Sequence, residues 1–165
     1  MLRDMTGLVA IIALAGCASA PIEAPALSMA DFQSVAGDGW KGELVYRDYS
    51  PPFGQVNLAV EAKVAVRSDG VSLALHYPKE PSADDTSDLL LSADGRMFDG
   101  ETVTARERIG DKLTVTTQAR CEDNDLPAAC THIYTLAPQA FGWVKLVTLD
   151  SDGQQFQRHA YALTR

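Results

Sequence analysis

Val56-Asn57-Leu58-Ala59-Val60-Glu61-Ala62-Lys63-Val64-Ala65-Val66-Arg67 places Val, Leu, Val, Ala, Val and Val at its even positions and Asn, Ala, Glu, Lys, Ala and Arg at its odd ones. A helix would spread these apolar residues around its whole circumference. A strand turns them all to one side, because successive side chains point to opposite faces. The stretch is therefore a strand with one dry face and one wet face. Asp69-Gly70 follows, and then Val71, Leu73, Leu75 and Tyr77 alternate with Ser72, Ala74 and His76. Strand, Asp-Gly, alternating strand is a hairpin signal.

Working outward in both directions, the pattern returns. Asp94-Gly95 separates Leu89–Leu91 from Arg96–Phe98, with Asp99-Gly100 as a second tight turn or bulge. Gly110-Asp111 separates Thr102–Ile109 from Lys112–Arg120, and Thr131–Leu136 forms a further strand. Asp152-Gly153 separates Trp143–Leu149 from Gln154–Thr164. Upstream, Trp40–Tyr49 opens the series and Ser50-Pro51-Pro52-Phe53-Gly54 closes that first strand. The result is an all-β, antiparallel up-and-down meander of about nine or ten strands. Closure into a barrel removes exposed sheet edges and is the favoured arrangement; a β-sandwich is the alternative.

Ahead of this domain, Leu8–Gly16 is an uninterrupted apolar or small run behind one basic residue, Arg3. It is about half the roughly 20 residues a helix needs to cross a bilayer, and it fits the apolar centre of an export signal over residues 1–16. It ends in Leu14-Ala15-Gly16-Cys17, which resembles the lipobox of bacterial lipoproteins. That resemblance implies a lipid on the Cys17 sulfur, cleavage just before it, and often acylation of the freed amine, since stable anchoring takes two chains. With Ala18 after the cysteine, it also implies an outer-membrane anchor facing the periplasm. Ala18-Ser19-Ala20 offers the alternative of ordinary A-x-A cleavage, which would leave a secreted or periplasmic soluble protein.

Residues 17–36, rich in Ala, Pro and Ser, read as the lipidated cysteine and a flexible tether, with Met29–Val35 able to form a turn of helix. Residues 37–165 form the domain, long enough to bury a core. The chain has 14 Lys and Arg against 22 Asp and Glu, a net charge of −8. Such a surface repels phosphate backbones, so nucleic acid is not an expected partner. Cys121 and Cys130 remain once Cys17 is lipidated, and an even pair in an exported chain reads as a disulfide. It would pin the polar loop Glu122–Ala129 between two strands. The spacing is not the C-x-x-C of a redox pair, and Cys130-Thr131-His132 supplies only half a zinc site.

Gly39-Trp40-Lys41-Gly42-Glu43-Leu44-Val45-Tyr46 in the first strand and Phe156-Gln157-Arg158-His159-Ala160-Tyr161 in the last resemble the calycins, the lipocalin and fatty-acid-binding-protein superfamily. In that superfamily a tryptophan early in the first strand packs under an arginine from the last. The resemblance implies Trp40 under Arg158, closing one barrel end, although Asp38 stands where those proteins carry glycine. The chain also resembles small bacterial exported proteins with W-x-G-x-L-x-Y-x-D-Y, Y-P-x-E-P and F-x-R-x-x-Y motifs, here Trp40–Tyr49, Tyr77–Pro81 and Phe156–Tyr161. No established activity comes with that likeness.

Catalytic signatures are lacking. There is no G-x-S-x-G turn for a nucleophile and no glycine-rich phosphate loop. Asp84-Asp85 and Asp123-Asn124-Asp125 miss the offsets of a calcium loop. His76, His132 and His159 sit in strand-like runs and could bind a metal or haem only if the fold brought them together. The expectation is a non-enzyme with neither cofactor nor metal. Tyr77-Pro78-Lys79-Glu80-Pro81 stiffens a strand exit and puts Tyr77 at a barrel mouth. The reading is thus a lipid-anchored envelope barrel that binds a small apolar ligand in its lumen. The competing reading is a solid-core protein that docks an envelope protein through its outer face or this loop.

Overall fold

The structure, a computed structural model, describes residues 24–165. The expected signal peptide, the lipidation site Cys17 and the start of the tether lie outside the described residues. Ten strands follow one another: β1 (Gly37–Asp48), β2 (Gly54–Val66), β3 (Gly70–His76), β4 (Asp85–Leu90), β5 (Met97–Phe98), β6 (Glu101–Ile109), β7 (Lys112–Asp123), β8 (Leu126–Ala137), β9 (Ala140–Leu149) and β10 (Gln155–Thr164). They form one antiparallel sheet in the order β4-β3-β2-β1-β10-β9-β8-β7-β6-β5. A single bridge, Leu91 to Phe98, joins β4 to β5 and nearly closes a calycin-like barrel.

Turn chemistry sets the register. The β9–β10 turn carries Gly153 at φ 67, a backbone conformation where a side chain is strained. Gly42 of β1 has another reason: a Cβ there would collide with the Ala162 carbonyl, so glycine lets β1 and β10 approach. The segment between the cysteines is not the expected loop. β7 and β8 run on through it, and only Asn124-Asp125 turns the chain, at φ 50 and 63. Asn and Asp tolerate that left-handed region better than most residues. The Cys121–Cys130 disulfide, with Cα atoms 5.8 Å apart, therefore staples two paired strands diagonally across their ladder.

Register stacks the inward side chains in rungs. The lowest contains Leu113, Leu136, Phe141 and Leu163; the next Val115, Tyr134, Trp143, Tyr161 and Leu44; the third Thr117, His132, Lys145, His159 and Tyr46. Apolar rungs at one end thus give way to a polar rung above them.

The tether also ends earlier than expected. Met29–Val35 is a 3₁₀ turn whose Phe32 and Val35 are buried against the barrel floor, so the folded body begins near Leu27. Asp31, only 5% exposed, accepts hydrogen bonds from Arg106 (2.5 Å) and Arg108 (3.1 Å) of β6 and from the Ser28 amide (2.9 Å). Trp40, fully buried, donates from its indole to the Val35 carbonyl at 2.9 Å. The guanidinium over its ring is that of Arg165, at 4.3 Å, which also donates to the carbonyls of Ser34, Ala36 and Pro138.

The expected partner Arg158 is elsewhere. It stands seven residues up β10, about 23 Å away at the strand rise, next to the Tyr49 ring. A β-bulge between Gln157 and His159 makes Arg158 the unpaired extra residue. With about 23 Å of strand in between, Arg158 does not reach Trp40, and Arg165 takes the place over the indole that the calycin resemblance implied for Arg158.

Candidate ligand-binding cleft

The barrel is filled below and open above. Its lower interior, bounded by Phe32, Val35, Leu73, Phe98, Leu136 and Trp143, retains a void of about 20 Å³. That is room for one water at most. At the other end lies a cleft of about 470 Å³. Leu44, Leu58 and Tyr161 line its apolar side, Tyr46 and Tyr77 its rim, and Lys145, His159, Arg158 and Asp123 its polar wall.

Each wall residue is placed by a local cause. Tyr77 continues the inward row of β3; its hydroxyl hydrogen-bonds the Tyr161 hydroxyl at 2.8 Å, and its amide donates to Asp84 at 2.8 Å. Burial pushes the Tyr77 phenol up, as it does that of Tyr161, where the hydrogen bond between the two hydroxyls adds to the effect. Both are neutral donor-acceptors at neutral pH. Tyr161 also stacks on Trp143, with ring centroids 4.0 Å apart. The β7–β8 hairpin carries Asp123 over the mouth, where it accepts from the Tyr49 hydroxyl and, at 3.1 Å, from Arg158 Nε. The charge of Arg158 is thereby matched.

Beneath the wall lies a polar cluster. His132 Nδ1 is 2.8 Å from Glu101 Oε2, and the fully buried Thr117 hydroxyl donates to the same carboxylate. Burial raises the Glu101 pKa, but the hydrogen bonds from His132 and Thr117 and the positive charges of His132 and Lys145 prevail and hold it below the usual range. His159 lies beside His132, with ring centroids 6.2 Å apart. Burial first, and then the positive charges of His132, Lys145 and Arg158, push its imidazole down to about 4 against the opposing pull of Asp123. It is neutral in the cell's pH range.

Of the three histidines, the fold brings together His132 and His159 and leaves His76 on the outer surface, 2.7 Å from Asp84. Among the described residues, no group of three His, Cys, Asp or Glu side chains is arranged to hold a metal. Trp40 belongs to the floor and Tyr77 to the cleft. Arg158 lines the cleft as well, far from the floor it was expected to close. Lys145, Glu101, Thr117, Tyr46 and Tyr161 are the cleft or cluster residues that sequence reasoning did not single out. Their signal is a polar residue interrupting an inward row, such as Lys145 between Trp143 and Val147.

The chain was compared with models of protein families, with curated proteins and with solved structures. Nothing matched. The calycin likeness therefore stands on architecture: an up-and-down barrel whose tryptophan-bearing end is plugged and whose other end is open.

Proposed function

We propose that this protein is a non-enzymatic binding barrel, held in the cell envelope through a lipid on Cys17, that takes up a small amphipathic molecule at its open end. The observation that carries this reading is the division of the interior. The lower interior leaves a void of only about 20 Å³, whereas the upper end leaves about 470 Å³, within the range of small-molecule sites. A ligand there meets Leu44, Leu58 and Tyr161 on one side and charged or hydrogen-bonding groups on the other. A purely apolar molecule would leave those polar groups desolvated without partners, so the ligand class shifts from apolar to amphipathic.

The test is titration of the soluble domain, residues 24–165, with the neutral fluorophore N-phenyl-1-naphthylamine. Binding by the native protein, and loss of about tenfold or more in affinity when Leu58→Trp fills the cleft floor, are expected, tenfold being the cost of roughly 1.4 kcal/mol of lost contact. Equal binding by both proteins, or none by either, would remove the cleft from consideration. The anchor is tested separately by mass spectrometry of the mature N-terminus; a chain starting at Pro21 would exclude it.

A second reading rests on a different face. On the outer surface of the sheet Ile133, Val144, Ala160 and Val45 form an apolar rung across β8, β9, β10 and β1, beside a shallow, mainly apolar groove. A protein docked there would make the barrel an interaction module. Sedimentation of the pure domain with Val144→Glu against native protein tests self-association through this face.

A further inference from the structure

Two basic side chains line the cleft, Lys145 and Arg158, and they are not in the same condition. Arg158 is matched by Asp123. Lys145, half-buried on β9, makes no ion pair among the described residues, although it lines the cleft. Directly across the ladder from it sits His159, on the same inward face. The His159 imidazole has no hydrogen-bond partner among the described residues and also lines the cleft. An ammonium in no ion pair among the described residues and an imidazole free to donate one N–H therefore stand side by side, one rung above an apolar floor of Leu44, Leu58 and Tyr161.

We infer that Lys145 and His159 form the head-group subsite of this cleft and select a ligand with one anionic group, a carboxylate or sulfonate, on an apolar or aromatic body. The inference rests on the cleft being a ligand site. Its chemistry follows from the groups that face it. A carboxylate or sulfonate placed between Lys145 and His159 accepts charge-assisted hydrogen bonds from both, the stronger kind of hydrogen bond. The body descends onto Leu44 and Leu58 and lies against the ring of Tyr161.

Of the acidic groups near this point, Glu80 and Glu122 line the cleft as exposed side chains, while Glu101 and Asp123 are already committed. Glu101 is held by His132 and Thr117, and Asp123 by Tyr49 and Arg158. Asp99, in the turn before β6, lies near enough for Glu101 to raise its pKa, in addition to burial. The same positive field that disfavours a proton on His159 favours an anion beside it. A neutral ligand of the same body would forgo that attraction and leave the ammonium partly desolvated and unmatched.

Two fluorophores with one shared body separate this inference from the reading beneath it. 1-Anilinonaphthalene-8-sulfonate carries the anion; N-phenyl-1-naphthylamine is its neutral counterpart. The native domain is expected to bind both, the sulfonate more tightly. Lys145→Met should weaken the sulfonate about tenfold, the loss of one charged hydrogen bond, and change the neutral probe less than about twofold. Lys145→Arg, which keeps the charge, should restore most of the sulfonate affinity. His159→Phe should also weaken only the sulfonate. Equal losses for both probes, an unchanged sulfonate affinity in Lys145→Met, or native protein that binds the neutral probe and not the sulfonate would each overturn the head-group subsite while leaving the cleft standing. Native protein that binds neither probe would overturn both.

Discussion

The Trp40 indole and the Arg165 guanidinium act as one unit, since the arginine covers the ring and ties together three backbone carbonyls from two segments. Trp40→Ala should cost about 3–5 kcal/mol of stability in urea unfolding, as for other buried tryptophans. Arg165→Ala is exposed and should cost less, about 1–2 kcal/mol. In a Trp143→Phe background, Arg165→Ala should red-shift the remaining Trp40 emission; Arg158→Ala, at the opposite end, should leave it in place. His159 makes a different prediction. Its imidazole titrates near 4 when folded and near the ordinary 6.5 when unfolded. The unfolded chain therefore takes up its proton first as pH falls. Stability is complete above about pH 6.5 and declines toward pH 4, by on the order of 3 kcal/mol. His159→Phe should remove that slope in urea titrations between pH 4 and 7, and an unchanged slope would mean that the imidazole is already hydrated. Why the sequence hid this site is plain at this scale: Phe156, Arg158 and Ala160 share parity on paper, and only the bulge turns His159 and Tyr161 inward in their place.

At the scale of elements, the β7–β8 hairpin stands above its neighbours because β6 begins only at Glu101 while β7 continues to Asp123. The disulfide holds that extension together and so holds Asp123 over the cleft. The bond closes a span of nine residues, and chain-entropy reasoning gives about 2–3 kcal/mol for a loop of that length. Reduction should lower the melting temperature. It should also speed amide exchange at Glu122–Leu126 more than in β9. The cysteine pairing was legible from an even count in a chain expected to be exported, yet the extended hairpin was not, because Glu, Asp, Asn and Pro have low strand propensity and a staple overrides it. The N-terminal segment was misread for a related reason. Ala, Pro and Ser suggest a tether, but Leu27, Phe32 and Val35 are the residues that seal the floor. Phe32→Ala should cost about 3–5 kcal/mol, whereas a true tether would register no change in denaturant midpoint.

For the molecule as a whole, alternation and Asp-Gly turns made nearly the entire strand order readable, since each hairpin is specified by neighbours in sequence. Closure was harder to see. It depends on β5, two residues long, and on the single Leu91–Phe98 bridge. That seam should be the first part of the barrel to open. Native-state hydrogen exchange should show the amides of Asp85–Leu91 and Phe98 exchanging well before those of Val115–Thr117 and Tyr134–Leu136, and uniform exchange around the wall would contradict a weak seam.

The two ends of the folded chain meet at the sealed pole, Leu27 and Val35 beneath it and Arg165 bracing it, while the mouth opens at the opposite pole. Any support gripping the protein upstream of Ala24 therefore holds the cup by its base. A guest would enter from the surrounding fluid rather than from the surface to which the cup is fastened.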